Sequence, residues 1–366
     1  MAAQATYVLT AGGTGGHLFP AQALAERLAA RGHRLALMTD ERGTAYASRF
    51  PDAEIIAVPS ASPSGGLGAK FRAALLLGRG AMKASKTLRL LDPAAVVGFG
   101  GYASFPALWA AGRQHRPILL HEQNAHLGRA NRLFGRRAAG LALSFEQTRA
   151  MDAASGAPSA VTGNPVREAI LAVRQQPYDA PGHDGPLRVL IIGGSQGASV
   201  FADTVPEAIA GLPERLRDRV SVTQQVRSEQ MDAVRATYDE AGIEAELAPF
   251  FDDMQALLSR AHLVVARAGA STVAELTVAG RPAVLVPYPH AADDHQTANA
   301  EALVAAGAAW LIPNAKFDAA TCRRTLEALL EDPEALKRMA AESFALGRPD
   351  AADRLADFVE RRGAVA

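Results

Sequence analysis

Short apolar runs alternate with longer amphipathic stretches along most of the chain, and that alternation predicts a parallel α/β fold. Thr6–Thr10, Arg34–Thr39, Glu54–Val58, Ala94–Gly98, Pro117–His121 and Gly140–Leu143 read as buried strands. Helical segments separate them, the first from about Pro20 to Arg31. Strands joined in this way pair in parallel through right-handed crossovers. The pattern pauses around Thr162-Gly-Asn-Pro165, and the polar stretch Gln175–Pro186, rich in proline and glycine, is the best compositional boundary. The second half repeats the scheme with strands at Leu187–Ile192, Val220–Gln224, His262–Ala266 and Ala283–Pro287. Its last helices are expected at Thr321–Leu330, Pro333–Ala345 and Ala351–Arg362. The expected fold class is α/β, with two Rossmann-like domains, 1–163 and 164–345, that face a ligand cleft at the carboxyl ends of their sheets.

Composition agrees with two ordinary globular domains. At ~150 residues per domain, 366 residues make two, and 49% hydrophobic with 21% charged residues excludes a disordered, coiled-coil or collagen-like chain. The single cysteine, Cys322, excludes an internal disulfide and a multi-cysteine metal site, and it favours a reducing compartment. The net charge is zero, but it is a sum over unlike halves. Residues 1–163 carry 18 Lys and Arg against 9 Asp and Glu, and the rest carries 20 against 29. A basic half and an acidic half are expected to meet different partners. Two uncharged stretches resemble membrane segments. Met1–Ala25 lacks the basic start of a signal peptide, and Pro93–Gly112 is broken by Gly98, Gly100, Gly101 and Pro106. Neither is expected to span a bilayer, so the chain is expected to be cytoplasmic; no nucleic-acid partner is expected.

Three glycine loops carry the first chemical signal. Gly12-Gly-Thr-Gly-Gly-His17, Gly98-Phe-Gly-Gly-Tyr102 and Gly193-Gly-Ser-Gln-Gly-Ala198 each follow a strand and open a helix. There, backbone N–H groups and a helix N-terminus meet anionic oxygens. A tight turn explains any one of them; three together imply phosphate-bearing ligands. None has the GxGxxG spacing of a dinucleotide site. His121-Glu-Gln-Asn124 ends a strand with four hydrogen-bonding side chains. Arg267-Ala-Gly-Ala-Ser-Thr-Val-Ala-Glu275 runs from a strand into a helix, where Glu275 either answers the helix dipole or accepts two ribose hydroxyls. In the loop from Pro287 to Asn299, Asp293, Asp294 and His295 invite a metal, but adjacent carboxylates diverge and no third ligand is evident.

With GNPVR at 163–167 and HAADDHQTANA at 290–300, these segments resemble the bacterial MurG-type N-acetylglucosaminyltransferases of peptidoglycan synthesis, two-domain enzymes of the GT-B fold. The resemblance implies inverting transfer of N-acetylglucosamine from UDP-GlcNAc to the C4 hydroxyl of the MurNAc unit of lipid I, giving lipid II, without a cofactor. On the donor it implies Ser195 at the diphosphate and Arg167 at the uridine-diphosphate region. Ala270, Ser271, Thr272, Val273, Ala274 and Glu275 lie along the ribose side, the backbone near Phe251 reads the uracil, and Gln296 holds the sugar. Asn124 reaches the donor from the other domain, and Thr14, Gly15 and Gly16 flank it or bind the acceptor diphosphate. Gly13, Gly100, Gly101, Tyr102 and Asn131 fall on the acceptor side. Related folds also imply that residues 346–366 pack back on the first domain. Other cell-wall synthesis proteins are implied partners, and the place implied is the cytoplasmic face of the plasma membrane, held peripherally.

An inverting transfer needs a base for the acceptor hydroxyl and donors for the departing diphosphate. His17 leads, since an imidazole at a helix N-terminus is kept neutral and therefore basic; Glu122 is its rival. No DxD-type metal motif is evident. Between Glu54 and Asp92 the chain has no acid, while Lys70, Arg72, Arg79, Lys83, Lys86 and Arg89 alternate with Leu67, Phe71, Leu75–Leu77 and Met82. That pattern fits an anionic membrane surface, or a core-facing helix with a basic rim. A diacylglycerol glycosyltransferase, a UDP-GlcNAc 2-epimerase and a non-catalytic nucleotide-sugar sensor are the competing readings.

Overall fold

The computed structural model describes residues 4–13, 15–61, 66–194 and 197–364. The chain forms two compact units, Met1–Val166 with Arg348–Ala366, and Arg167–Gly347.

The first unit is built on seven strands: β1 (Thr6–Ala11), β2 (Arg34–Thr39), β3 (Ala53–Ala57), β4 (Ala95–Gly98), β5 (Ile118–Glu122), β6 (Gly140–Leu143) and β7 (Ser159–Val161). Their order is β3-β2-β1-β4-β5-β6-β7, and every pairing is parallel. Strand periodicity sends Tyr7, Leu9 and Ala11 into one core and Val8 into the other. The first core is closed by helices Gly15–Ala30 and Ala351–Gly363, the second by Leu67–Leu91, Phe105–Arg113 and Arg129–Gly135.

The carboxyl-terminal helix docks through Leu355, Ala356, Phe358 and Val359, all buried. Arg31 Nη1 donates to Asp357 Oδ1 (2.7 Å) and Glu360 Oε2 (2.6 Å), and Glu360 Oε1 lies 2.8 Å from His33 Nε2. These ion pairs are partly exposed and worth about 0–1 kcal/mol each, so apolar burial carries the docking. The segment Arg348–Ala366 holds four arginines and four acids, and the first unit keeps its basic surplus.

The second unit has six strands: β8 (Leu187–Ile192), β9 (Val220–Gln225), β10 (Glu244–Ala248), β11 (Leu263–Ala266), β12 (Ala283–Leu285) and β13 (Ala309–Leu311). Their order, β10-β9-β8-β11-β12-β13, is also fully parallel. In both sheets the order reverses at one point, between β1 and β4 and between β8 and β11. Loops leaving the carboxyl ends on either side of such a point open a crevice for ligands.

Three short strands escape the hydrophobic pattern: β7, β10 and β13. Each lies at a sheet edge, where one side is open to water. β10 alternates acids with small residues, and β13 has only three residues. The first helix starts at Gly15, ahead of the expected Pro20, because its opening turn grows out of the glycine loop. The Gln175–Pro186 stretch lies inside the second unit, since helix Glu168–Arg174 packs on helices Met254–Arg260 and Ala270–Ala279.

Helix Leu67–Leu91 inverts the usual amphipathic rule. It buries small residues, Ala73, Gly80, Ala81 and Ala84, together with Leu88. Its large apolar side chains face outward, with Leu67 87% and Phe71 69% exposed, and the six cations are exposed as well. Leu75 is exposed and Leu76 and Leu77 are only half-buried, so this stretch is not core-facing. Among the described residues no helix is long and apolar enough to cross a membrane.

Candidate active site

In the first unit the loops after β1 and β4 meet at the reversal point. A β-carbon placed on Gly101 would lie 3.3 Å from Gly12 Cα. One on Gly100 would lie 3.2 Å from Cδ2 and 3.3 Å from Nε2 of His17. Gly100 (φ +90°) and Gly101 (φ +76°) hold a backbone that side chains resist, so glycine is required twice over. The Ser104 hydroxyl fastens this turn to the carbonyls of Thr10 (3.0 Å) and Gly100 (2.7 Å). His17, in the first turn of helix Gly15–Ala30, therefore presents a half-buried imidazole seated against Gly12, Gly100 and Gly101. Gly13 backs onto the turn that follows β2, where a β-carbon would lie 2.5 Å from Asp40 Oδ1. Gly15 is buried, while Gly16 and Tyr102 are exposed.

At the end of β5 the polar residues turn mostly inward. Glu122 is 2% exposed. Its Oε1 accepts from Asn124 N (3.0 Å) and Asn124 Nδ2 (3.3 Å), and its Oε2 from Gly128 N (2.7 Å) and Asn131 Nδ2 (2.8 Å). Burial raises its pKa, and these four donors oppose the rise. Asn131 is buried too and also donates to His121 O at 3.1 Å. His121 is fully buried, with Nε2 3.1 Å from Gly163 O and Nδ1 2.9 Å from Gln123 Nε2. Burial lowers its pKa to about 4, so it is neutral at physiological pH. An Nδ1 that accepts from an amide leaves the proton on Nε2, donated to Gly163.

In the second unit the loop after β8 runs through Gly193 and Gly194, and the loop after β11 enters helix Ala270–Ala279. Gly269 caps that helix in extended conformation (φ −65°, ψ 144°). Glu275 stands on its second turn and accepts from Arg167 Nε at 2.9 Å. Burial raises the Glu275 pKa, and the Arg167 guanidinium opposes that rise without cancelling it. Ser271 Oγ, on the opening turn, is buried without a hydrogen-bond partner. Ala270, Thr272 and Ala274 are partly exposed, but Val273 points into the core. Beyond β12, Gln296 Oε1 accepts from Tyr288 N at 2.9 Å, and Asp293 and Asp294 adopt left-handed backbone (φ +54° and +51°). Phe251 is half-buried just ahead of helix Met254–Arg260, which Asp253 caps.

Models of the glycosyltransferase family 28 N-terminal and C-terminal domains match residues 7–143 and 188–355. The chain belongs to glycosyltransferase family 28. Within it, the chain is 54% identical to the UDP-N-acetylglucosamine–N-acetylmuramyl-(pentapeptide) pyrophosphoryl-undecaprenol N-acetylglucosamine transferase of Rhodospirillum centenum, over 97% of this chain and 94% of that one. The like-named protein of Caulobacter vibrioides is 47% identical over 97% and 98%. Among solved structures, Acinetobacter baumannii MurG superposes with a TM-score of 0.80 at 29% identity, covering 97% of this chain and 99% of that one. The MurG-type, GT-B membership expected from the motifs is thereby established. A putative UDP-N-acetylglucosamine 2-epimerase from Listeria monocytogenes, at 18% identity and a TM-score of 0.70 over 100% and 98% of the two chains, shares the fold alone.

The expected glycine loops thus collect at the reversal point of each sheet, while the 121–125 and 290–300 segments follow β5 and β12. Gly12, Gly13, Gly15, Gly16, His17, Gly100, Gly101 and Tyr102 gather in the first unit, and Arg167 and Glu275 pair in the second. Glu122 and Asn131 belong to one buried cluster beneath Asn124. Thr14 and Ser195 lie outside the described residues. Among the described residues no group of three His, Cys, Asp or Glu side chains is placed to hold a metal. Sequence reasoning gave no role to Arg267, which is buried and donates through Nη1 to Val286 O (3.0 Å), Pro287 O (3.0 Å) and Asn314 Oδ1 (2.8 Å). Its guanidinium lies over the rings of Phe201 and Tyr288. An arginine directly after an apolar strand was the available signal.

Proposed function

We infer that this chain is the inverting transferase that moves N-acetylglucosamine from UDP-GlcNAc to the C4 hydroxyl of MurNAc in lipid I, giving lipid II. The observation that carries it is 54% identity, across 97% of the chain, to a transferase named for that reaction. The glycine loops at the two sheet reversals support it, since both substrates carry diphosphates.

His17 is the base in this reading. Its imidazole is partly open to solvent and locked against two glycine loops, so it can take a proton without reorganising its surroundings. The Glu122 carboxylate accepts four hydrogen bonds and is almost closed off from water. It acts as the positioning residue for Asn124, and Asn131 supports Glu122 rather than touching the acceptor. On the donor side, Glu275, paired with Arg167, accepts the ribose hydroxyls. Backbone N–H groups of the loop beyond Gly193 and of the start of helix Ala270–Ala279 meet the leaving diphosphate. Val273 contributes backbone only.

The membrane contact is the face formed by helices Leu67–Leu91 and Phe105–Arg113. It joins the exposed Leu67, Phe71, Leu75 and Met82 to Trp109, whose ring lies beside the Arg113 guanidinium, within a field of cations. An undecaprenyl acceptor requires such a surface, and a peripheral position on the cytoplasmic face fits this reading. Incubation with labelled UDP-GlcNAc and a short-chain lipid I analogue tests the function. A labelled disaccharide is expected. Formation of the 2-epimer from UDP-GlcNAc alone, or transfer to diacylglycerol and not to lipid I, would overturn it.

A further inference from the structure

Beside the switch point of the second sheet, one side chain joins three strand ends. Gln225 is the last residue of β9, flanked in the sheet by β8 and β10. Its Oε1 accepts from Gly193 N at 3.0 Å. Its Nε2 donates to Gly194 O at 3.1 Å and to Pro249 O at 3.1 Å. The network fixes the amide's orientation, because a flipped amide would set its oxygen against two carbonyls and its nitrogen against an N–H. Both amide protons and one acceptor direction are in use. Glutamate has the same shape but lacks the two donors, and leucine lacks all three groups.

Gly193 and Gly194 open the loop taken above to meet the diphosphate, and Pro249 lies two residues before Phe251, taken above to line the uracil. We propose that Gln225 is a positioning residue that holds these two walls in register, so that a ligand spanning both finds their spacing already set. The inference rests on the donor-site reading given under the proposed function. Gln225 touches no substrate in this account; it fixes the Gly193 N–H and the Pro249 carbonyl, and through them the distance between the two walls. Preorganisation of this kind favours a ligand that bridges both walls over one that fills a single wall.

The test compares UDP with uridine by titration calorimetry on the full-length protein, with donor KM and kcat measured alongside. In Gln225→Leu and Gln225→Glu, UDP affinity and donor KM should worsen about tenfold, while uridine affinity and kcat at donor saturation stay within about twofold. A residue that only stabilised the domain would lower the melting temperature and leave the preference for UDP over uridine unchanged, and that result would overturn the proposal. The isosteric Gln225→Glu variant gives the answer if Gln225→Leu does not fold. Glu275→Gln serves as the control. If it weakens UDP binding and both Gln225 variants do not, the positioning role alone fails. If none of the three weakens UDP binding, the donor-site reading fails with it.

Discussion

In the first unit, the loops at the sheet reversal are held by backbone against backbone: Gly12 lies on Gly101, with the His17 ring packed beside Gly100. In the second unit, the corresponding loops are held by long side chains, through Gln225, Arg267 and the Arg167–Glu275 pair. One topology thus supports two kinds of precision. Glycine contacts hold a titratable ring in one place while leaving room for an acceptor. Side-chain braces span wider loops and tolerate a large nucleotide. The net charges follow the same division. The basic unit suits an anionic membrane and a lipid diphosphate, whereas under the proposed donor site the acidic unit would meet the UDP diphosphate against its own overall charge.

The sharpest way to break this division is His17→Ala, for which turnover should fall about 10²- to 10⁴-fold with UDP affinity nearly intact. Next in size is Glu122→Gln, which sets an amide NH2 against donors that now meet a carboxylate oxygen. A stability loss of about 1–3 kcal/mol in chemical denaturation is expected. Unchanged stability, with kcat alone collapsing, would return Glu122 to the role of base.

A third prediction uses pH. His121 titrates at about 4 in the folded chain against 6.5 for an unperturbed histidine, so folding selects its neutral form. Its contribution is complete above pH 6.5 and is lost as pH falls toward 4, by about 3 kcal/mol in total. Denaturation midpoints between pH 7 and 4 should fall less steeply in His121→Gln than in the parent. Glu122 carries the opposite sign, since a raised folded pKa stabilises at low pH and loses that effect as pH rises. The smallest effect is expected at the membrane face. Exchange of Lys83 and Lys86 for glutamine should weaken binding to vesicles containing anionic phospholipid by about 1 kcal/mol each at low salt. Vesicle binding equal to the parent's would remove that face from the account.

The sequence discloses the buried strands well because β1, β4, β5, β8 and β11 are wrapped on both sides and are mostly apolar. Edge strands such as β10, with Glu244 and Glu246 on open water, carry no such signal. The glycine loops are legible because positions such as Gly100, Gly101 and Gly194 hold a left-handed backbone that side chains resist. Gln225 and Arg267 are not, since a bracing side chain is recognisable only once its distant carbonyls are in place. Glu122 shows a third situation: the letter is chemically suggestive, yet the four donors that occupy it come from positions 124, 128 and 131. The outward Leu67 and Phe71 were visible as residues, but only packing on the Ala73–Ala84 side shows which face of that helix is buried.

The division of labour is tested most directly by donor-saturation curves for His17→Ala and Glu275→Gln, measured with a lipid I analogue at fixed concentration. His17→Ala should lower the plateau without moving the half-saturation point. Glu275→Gln should move half-saturation about tenfold and leave the plateau near the parent's. If His17→Ala shifts half-saturation at an unchanged plateau, or Glu275→Gln lowers the plateau alone, chemistry and donor binding are not divided between the two units as described.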